Sequence, residues 1–487
     1  PACFKSVLHL QDPWEGCVVS PQQAPPSQQS SGQVSVCLQT GPFNRDSPST
    51  CSSWRHFGSW QQRPSCNGVD QSSAFDLIDH NILLRRLEYS YGVSGGALAW
   101  VQSYMTNRTQ SVAVRATVSE CVDIQFGVPQ GSVLGPVLYC LYSKPMGNIC
   151  QHHDLSYMVY ADDQQMYKVV QPQIPWTSTS MALEACVSDI ITWTSTNMLK
   201  INQEKTEFIT FTSRTSSLDS DNMQVQVGSS CVQAVKSVKN LGVHLDHTLT
   251  MEKQVNMVVK SCYFQIRRIA AIRQYITDDC CKTLVHALVT SRLDYGNGLL
   301  CGLPDTLTNR LQKVQNCAAR LITRTGRREE MTPVREQLHW LPVRQRCQYK
   351  ILMYTYKCLH DRAPPYLQEL VVPYQPARSL RSESASLLCE PRTRTKIYGH
   401  RRFDSISARL WNGLPLRLRN TPSLDTFKKD LKTHLFKEAY VHFWTLRAFQ
   451  IKFLTVFACF PKNFPARFVF IIFLSFFSIS LFFLTLT

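Results

Sequence analysis

Tyr160-Ala161-Asp162-Asp163 sets two adjacent carboxylates between apolar, strand-like stretches at 155–159 and 164–170. Two such runs around so short a break predict a hairpin with the acids at its tip. Paired carboxylates are hard oxygen donors of the kind that hold Mg²⁺ and leave its other positions to water and substrate phosphates. A plain surface turn explains an isolated Asp-Asp equally well, because Asp bonds its own backbone and tolerates unusual dihedrals. A third carboxylate, Asp70, closes a short strand-like run and is followed by a turn through Phe75 and Asp76 and a helix that starts near Asp79. Between these acids lies Phe126-Gly127-Val128-Pro129-Gln130-Gly131-Ser132-Val133-Leu134-Gly135-Pro136, a loop that leads into an apolar helix. Its glycines would let backbone approach a bulky partner closely, and a simple turn with a helix start accounts for it as well.

The order of the three segments is more specific than any one of them. Ser73-Ala74-Phe75-Asp76-x-x-Asp79-His80, the Gly127 to Pro136 loop and Tyr160-Ala161-Asp162-Asp163 together resemble the reverse transcriptase of non-long-terminal-repeat (LINE-type) retrotransposons. The likeness continues through Leu199-Lys200-Ile201-Asn202-Gln203-Glu204-Lys205, Lys239-Asn240-Leu241-Gly242-Val243, Leu338-His339-Trp340-Leu341-Pro342 and Arg409-Leu410-Trp411-Asn412-Gly413-Leu414-Pro415, and spans 67–440. It implies an RNA-directed DNA polymerase of α+β fold: a palm made of an antiparallel sheet with helices on one face, a helical thumb and a basic C-terminal extension. It also implies an RNA template, a DNA primer and deoxynucleoside triphosphates as partners, and two Mg²⁺ ions as cofactor.

On that resemblance Asp70, Asp162 and Asp163 are the catalytic metal ligands, with Asp70 and Asp162 bridging the ions. Successive side chains of a strand point to opposite faces, so Asp163 reaches the same site only if the turn redirects one of the pair. Phe75 is implied as the bulky residue that crowds a ribose 2′-hydroxyl, or else as core. Gln130 and Gly131 are implied to position template and nucleotide. Lys205 lies near the family's lysine that protonates the pyrophosphate leaving group, and is otherwise a solvated lysine. Asp76 and Asp79 fit helix N-terminal roles better than metal ligation. The turn at Leu241-Gly242 and Val243 falls where the family grips the primer. Gln71 and Ser73 depart from the family's first motif, which is usually apolar or small at those positions.

The chain has 487 residues, of which 44% are apolar, enough for two or three domains and a real core. Its formal net charge is +17, and 261–440 carries 31 Lys and Arg against 15 Asp and Glu, so +16 of the excess lies there. A basic half beside an acidic cluster suits a polyanion held by one part and processed by the other, with solvated basic helices as the plainer explanation. The 19 cysteines include no Cys-x-x-Cys pair, which argues against a structural zinc site and for reduced, intracellular thiols.

The expected organisation is a Ser-, Pro- and Gln-rich, largely disordered 1–66; a palm over 67–250; a thumb over 251–362, with helices at 253–275, 280–293, 304–324 and 343–360; and a basic extension over 363–440. Palm helices are expected at 94–106, 132–146 and 179–198, and strands at 108–115, 155–160, 207–212 and 238–245. The basic pattern of the family's fingers is not seen before Asp70, which points to an N-terminally truncated, inactive copy as one outcome. The alternative to an enzyme is a remnant that holds nucleic acid without catalysis. Within the hydrophobic tail 441–487, Phe468 to Thr487 has no charged residue and follows Lys462 and Arg467. Its length suits a membrane helix, and an out-of-frame stretch read as protein would look the same.

Overall fold

A computed structural model describes residues 34–39, 64–71, 75–114, 117–129, 132–160, 163–170, 174–212, 223–375, 386–393 and 398–458. For 34–39, 64–71, 113–114, 117 and 442–458 only the backbone course is described. The fold is mixed helix and sheet. Strands β1 (Val34–Gln39), β2 (Pro64–Gln71), β7 (Ser156–Tyr160), β8 (Asp163–Val170) and β9 (Ile201–Phe211) form one sheet in the order β1-β9-β2-β8-β7. Each neighbouring pair in that order is antiparallel. One of its strands, β1, falls in the stretch whose composition reads as largely disordered. Val34, Val36 and Leu38 do alternate there, but over a run too short to stand out among Ser, Gln and Gly.

Helices α1 (His80–Tyr91), α2 (Gly96–Met105) and α3 (Gly135–Ser143) pack around Leu83, Met105, Tyr139 and Tyr142, all fully buried. The short ribbons β3 (Arg108–Gln110) with β6 (Val122–Ile124) and β4 (Ala113–Val114) with β5 (Thr117–Val118) connect the last two of these helices. Asp79 caps α1, its Oδ1 accepting the Ile82 N–H at 2.9 Å, as its position before the helix predicts. Asp76 lies instead in the exposed turn before that cap.

α4 (Met146–His152) and α5 (Trp176–Thr196) cover one sheet face, where Cys150, Leu183, Val187 and Ile190 meet Met166 and Phe208. Side chains of the opposite parity, Tyr167, Ile209 and Phe211, enter a second core on the other face. Both faces are therefore covered at this end, which explains why Gln164 to Tyr167 and Phe208 to Phe211 are buried without interruption.

Beyond β9 come the hairpins β10 (Gln224–Val227) with β11 (Ser230–Gln233) and β12 (Ser237–Asn240) with β13 (Val243–Asp246). The remainder is helical: α6 (Glu252–Ile272), α7 (Asp278–Val285), α8 (Ser291–Asp294), α9 (Asp305–Thr323), α10 (Met331–Gln337), α11 (Val343–Leu359), α12 (Pro365–Gln368), α13 (Phe403–Asn412), α14 (Leu416–Arg419) and α15 (Leu424–Ala458). In α9, Leu311, Val314, Ala318 and Ile322 recur at helical spacing and are buried. One hydrophobic core runs from Ile209 through these helices to Leu435. Divisions at 250/251 and 362/363 fall inside it, so any division there is one of role and not of separate packing. Among the described residues no helix is long and apolar enough to cross a membrane, and 468–487 lie outside them.

Candidate active site

The hairpin expected around the paired acids is present: β7 ends at Tyr160, β8 begins at Asp163, and these two residues pair. Ala161 and Asp162 fall between them and lie outside the described residues. On the other side of β8, Val69 of β2 pairs with Gln164. Continued by one step, that antiparallel register would set position 70 opposite position 163, the first residue of β8. The register of β2 on β9 shifts between Gly68 and Asp70, so that Asp70 pairs with Asn202. Such irregularities re-aim a strand locally and are over-represented beside active sites. Asp163 itself is half-buried. The side chain of Asp70 lies outside the described residues, as do Gln130 and Gly131.

Lys205 is on β9, three residues from the partner of Asp70; it is exposed, and its backbone N–H bonds Asn202 Oδ1 at 3.2 Å. Phe75 is half-buried with its ring centroid 5.0 Å from that of Tyr139. Its backbone is stitched to the glycine-rich loop, since Val128 N–H bonds the Phe75 carbonyl at 3.0 Å and Gly127 N–H bonds the Ile78 carbonyl at 2.8 Å. The Gly127 carbonyl accepts from His80 Nε2 at 2.8 Å and from Arg108 Nη2 at 2.7 Å. Because a carbonyl only accepts, the first bond puts the His80 proton on Nε2. His80 and Arg108 were not among the expected site residues; the position of His80, directly after a helix cap, was the only hint of its role.

Gly127 has φ +79°, and a Cβ there would come within 2.9 Å of the Asp76 Cα and carbonyl oxygen. Gly127→Ala would therefore combine left-handed strain of about 1 to 2 kcal/mol with a backbone collision. We expect a loss of at least that size in chemical denaturation, and a wild-type midpoint would show that the loop does not need glycine.

A second tie joins the helices behind the loop. Arg86 donates to the Tyr142 carbonyl and, at 2.6 Å, to Asn197 Oδ1, while the Tyr142 hydroxyl donates to the Asn197 carbonyl at 2.6 Å. Burial lowers the pKa of the Arg86 guanidinium and raises that of the Tyr142 phenol. On β9, the Glu207 carboxyl is also pushed up by burial, against the opposing charge of Lys253.

Among the described residues no three His, Cys, Asp or Glu side chains converge as a metal site, and two of the three expected ligands are not in that set. The donor type does fit magnesium: carboxylate oxygens are the ligands that ion prefers, and neither Cys nor His stands at these positions.

A family model for reverse transcriptase (RNA-dependent DNA polymerase) matches residues 44–245. The chain is similar to a probable RNA-directed DNA polymerase from transposon BS of Drosophila melanogaster, at 27% identity over 53% of this chain and 29% of that protein. It is also similar to the RNA-directed DNA polymerase from mobile element jockey of the same organism, at 26% identity over 47% of this chain and 25% of that protein. A structure of telomerase from Candida albicans, in complex with a fragment of telomeric RNA, overlays 60% of this chain and 51% of its own at 12% identity and a TM-score of 0.28, too low to bear on the fold. The matched stretch is thus a reverse-transcriptase domain. The chain spans less than a third of the length of these two relatives, whose names give them as RNA-directed DNA polymerases of a transposon and a mobile element.

Proposed function

We propose that this chain is an RNA-directed DNA polymerase that extends a DNA primer on an RNA template by two-metal nucleotidyl transfer. In this reading the sheet and its helices over 67–250 act as the palm, 251–362 as the thumb, and the basic 363–440 as a nucleic-acid-contacting extension. The observation that supports it best is the pairing of Val69 with Gln164, which sets the residues adjoining positions 70 and 163 side by side inside a matched reverse-transcriptase domain. Asp70, Asp162 and Asp163 would hold two Mg²⁺ ions, whose charge, once bound, stabilises the attacking and leaving oxygens of an in-line displacement.

The protein's own groups do the rest. Phe75, backed by Tyr139, would crowd the 2′ position of an incoming sugar and favour deoxynucleotides. Gln130 and Gly131 would orient template and nucleotide, and Lys205 would donate a proton to the departing pyrophosphate. The Leu241-Gly242 turn would border the primer end. The excess positive charge of the C-terminal half would hold the template duplex through its phosphates and release it as salt rises.

Primer extension on an RNA template with Mg²⁺, wild type against Asp162→Ala, tests this reading. Extension by the wild type and none by the variant is the expected result. Equal behaviour, with RNA binding retained in a gel shift, would favour a binding remnant instead.

A further inference from the structure

The two-residue turn joining β12 to β13 is strained and held from outside. Asn240 pairs with Val243, and Leu241 and Gly242 between them have φ of +41° and +80°. Both values are those of a primed hairpin turn, where Asn-Gly is favoured and a leucine is out of place. Two groups distant in sequence secure it. The Tyr295 hydroxyl, just beyond α8, donates to the Leu241 carbonyl at 2.6 Å. The buried amides of Gln165 and Asn240 bond reciprocally, at 2.8 Å and 2.9 Å. Gln165 lies two residues from Asp163 on β8, so this amide pair couples the turn to the strand that begins at the carboxylate hairpin.

We propose that Tyr295 is a positioning residue of the polymerase site: with the Gln165–Asn240 pair, it fixes the Leu241-Gly242 turn against the Tyr160–Asp163 hairpin and so sets where the primer end lies. The inference rests on the polymerase reading for the primer, but the tie itself does not. Tyr295 is also within electrostatic reach of the hairpin: its phenol pKa is pushed up chiefly by burial, then by Tyr160 and Asp163. Its own backbone is anchored by its neighbour Asp294, which takes a forked pair of bonds from Arg346 of α11 at 2.8 and 2.5 Å. The residue stands outside the stretch 44–245 matched by the family model, so a contact from the C-terminal half reaches back to this turn.

Tyr295→Phe keeps the ring and removes the hydroxyl. We expect kcat for single-nucleotide addition to fall about tenfold, since a misplacement of one ångström can cost up to about a hundredfold. Affinity for primer–template should stay at the wild-type value, and the thermal midpoint should fall only by what one lost hydrogen bond costs, leaving the protein folded at the assay temperature. Gln165→Asn and Asn240→Gln, which shorten and lengthen the amide bridge, should each lower kcat, and the double variant, which restores the bridge length, should recover it. Wild-type kcat in Tyr295→Phe, or a loss that merely tracks the folded fraction, would overturn the proposal. If the wild type extends no primer, the polymerase reading fails, and the tie is read from amide hydrogen exchange over 240–246 without nucleic acid. Faster exchange confined to that hairpin in Tyr295→Phe then supports the positioning role, and unchanged exchange overturns it.

Discussion

Asp70→Asn should reduce primer extension by at least about a thousandfold while leaving the fold intact. The variant keeps the size and polarity of the side chain but removes the negative charge that a divalent ion needs. Metal stabilisation of charge in the transition state is worth several kcal/mol, and each ~1.4 kcal/mol is a factor of ten in rate. The backbone at 70 pairs with Asn202 of β9 and its neighbour Val69 pairs with Gln164 of β8, so an isosteric change there should not unravel the strand. Single-turnover extension with saturating primer–template and Mg²⁺ checks this, alongside a denaturation curve for both proteins. A loss below about tenfold would remove Asp70 from the metal site.

Phe427→Ala should destabilise the chain by about 3 to 5 kcal/mol, the usual cost of deleting a fully buried aromatic ring. Phe427 is fully buried on α15, stacked at 4.3 Å on Tyr356 of α11 and 5.9 Å from Trp411 of α13. The Tyr356 hydroxyl continues the contact by donating to the Thr421 carbonyl at 2.9 Å. Three helices from either side of position 362 thus share one cluster, and a chain ended at 362 should lose the packing of α11 as well as its own terminus. Equilibrium unfolding in urea measures the effect. A ΔΔG below about 1 kcal/mol would mean that the two sides of 362 are stabilised separately.

How much of this was legible in the sequence depends on how far apart the partners lie. Helical spacing over 179–198 and 304–324 marked α5 and α9 to within a few residues, because a single buried stripe fixes both the period and the face. The β7–β8 hairpin was legible for a similar reason, with apolar runs on both sides of a polar pair. β9 was expected only from 207, yet begins at Ile201; its first half, Asn202 to Lys205, is polar and becomes a strand because β2 supplies the pairing. The helix expected over 280–293 is interrupted by a π-helical turn at His286–Thr290, a change of hydrogen bonding that hydrophobic period does not encode.

The carboxylates were found by motif and order. The residues that hold their surroundings in place were not, since Gln165 and Asn240 are 75 positions apart and Tyr295 and Leu241 are 54 apart. Polar side chains of this kind show no periodicity of their own, and their partners exist only once the sheet and helices have met. The cysteines whose side chains are described, from Cys121 to Cys389, are free thiols, so among these residues the contacts and the shared core do the tying.

The most direct test of the shared site is a cross-link between positions 70 and 163. Asp70→Cys with Asp163→Cys, oxidised mildly and mapped by mass spectrometry of proteolytic fragments, should give a peptide pair joining β2 to β8, since opposed residues of adjacent antiparallel strands lie within disulfide reach. Thiols that stay reduced at both positions, in a folded protein, would contradict the convergence on which the polymerase reading depends.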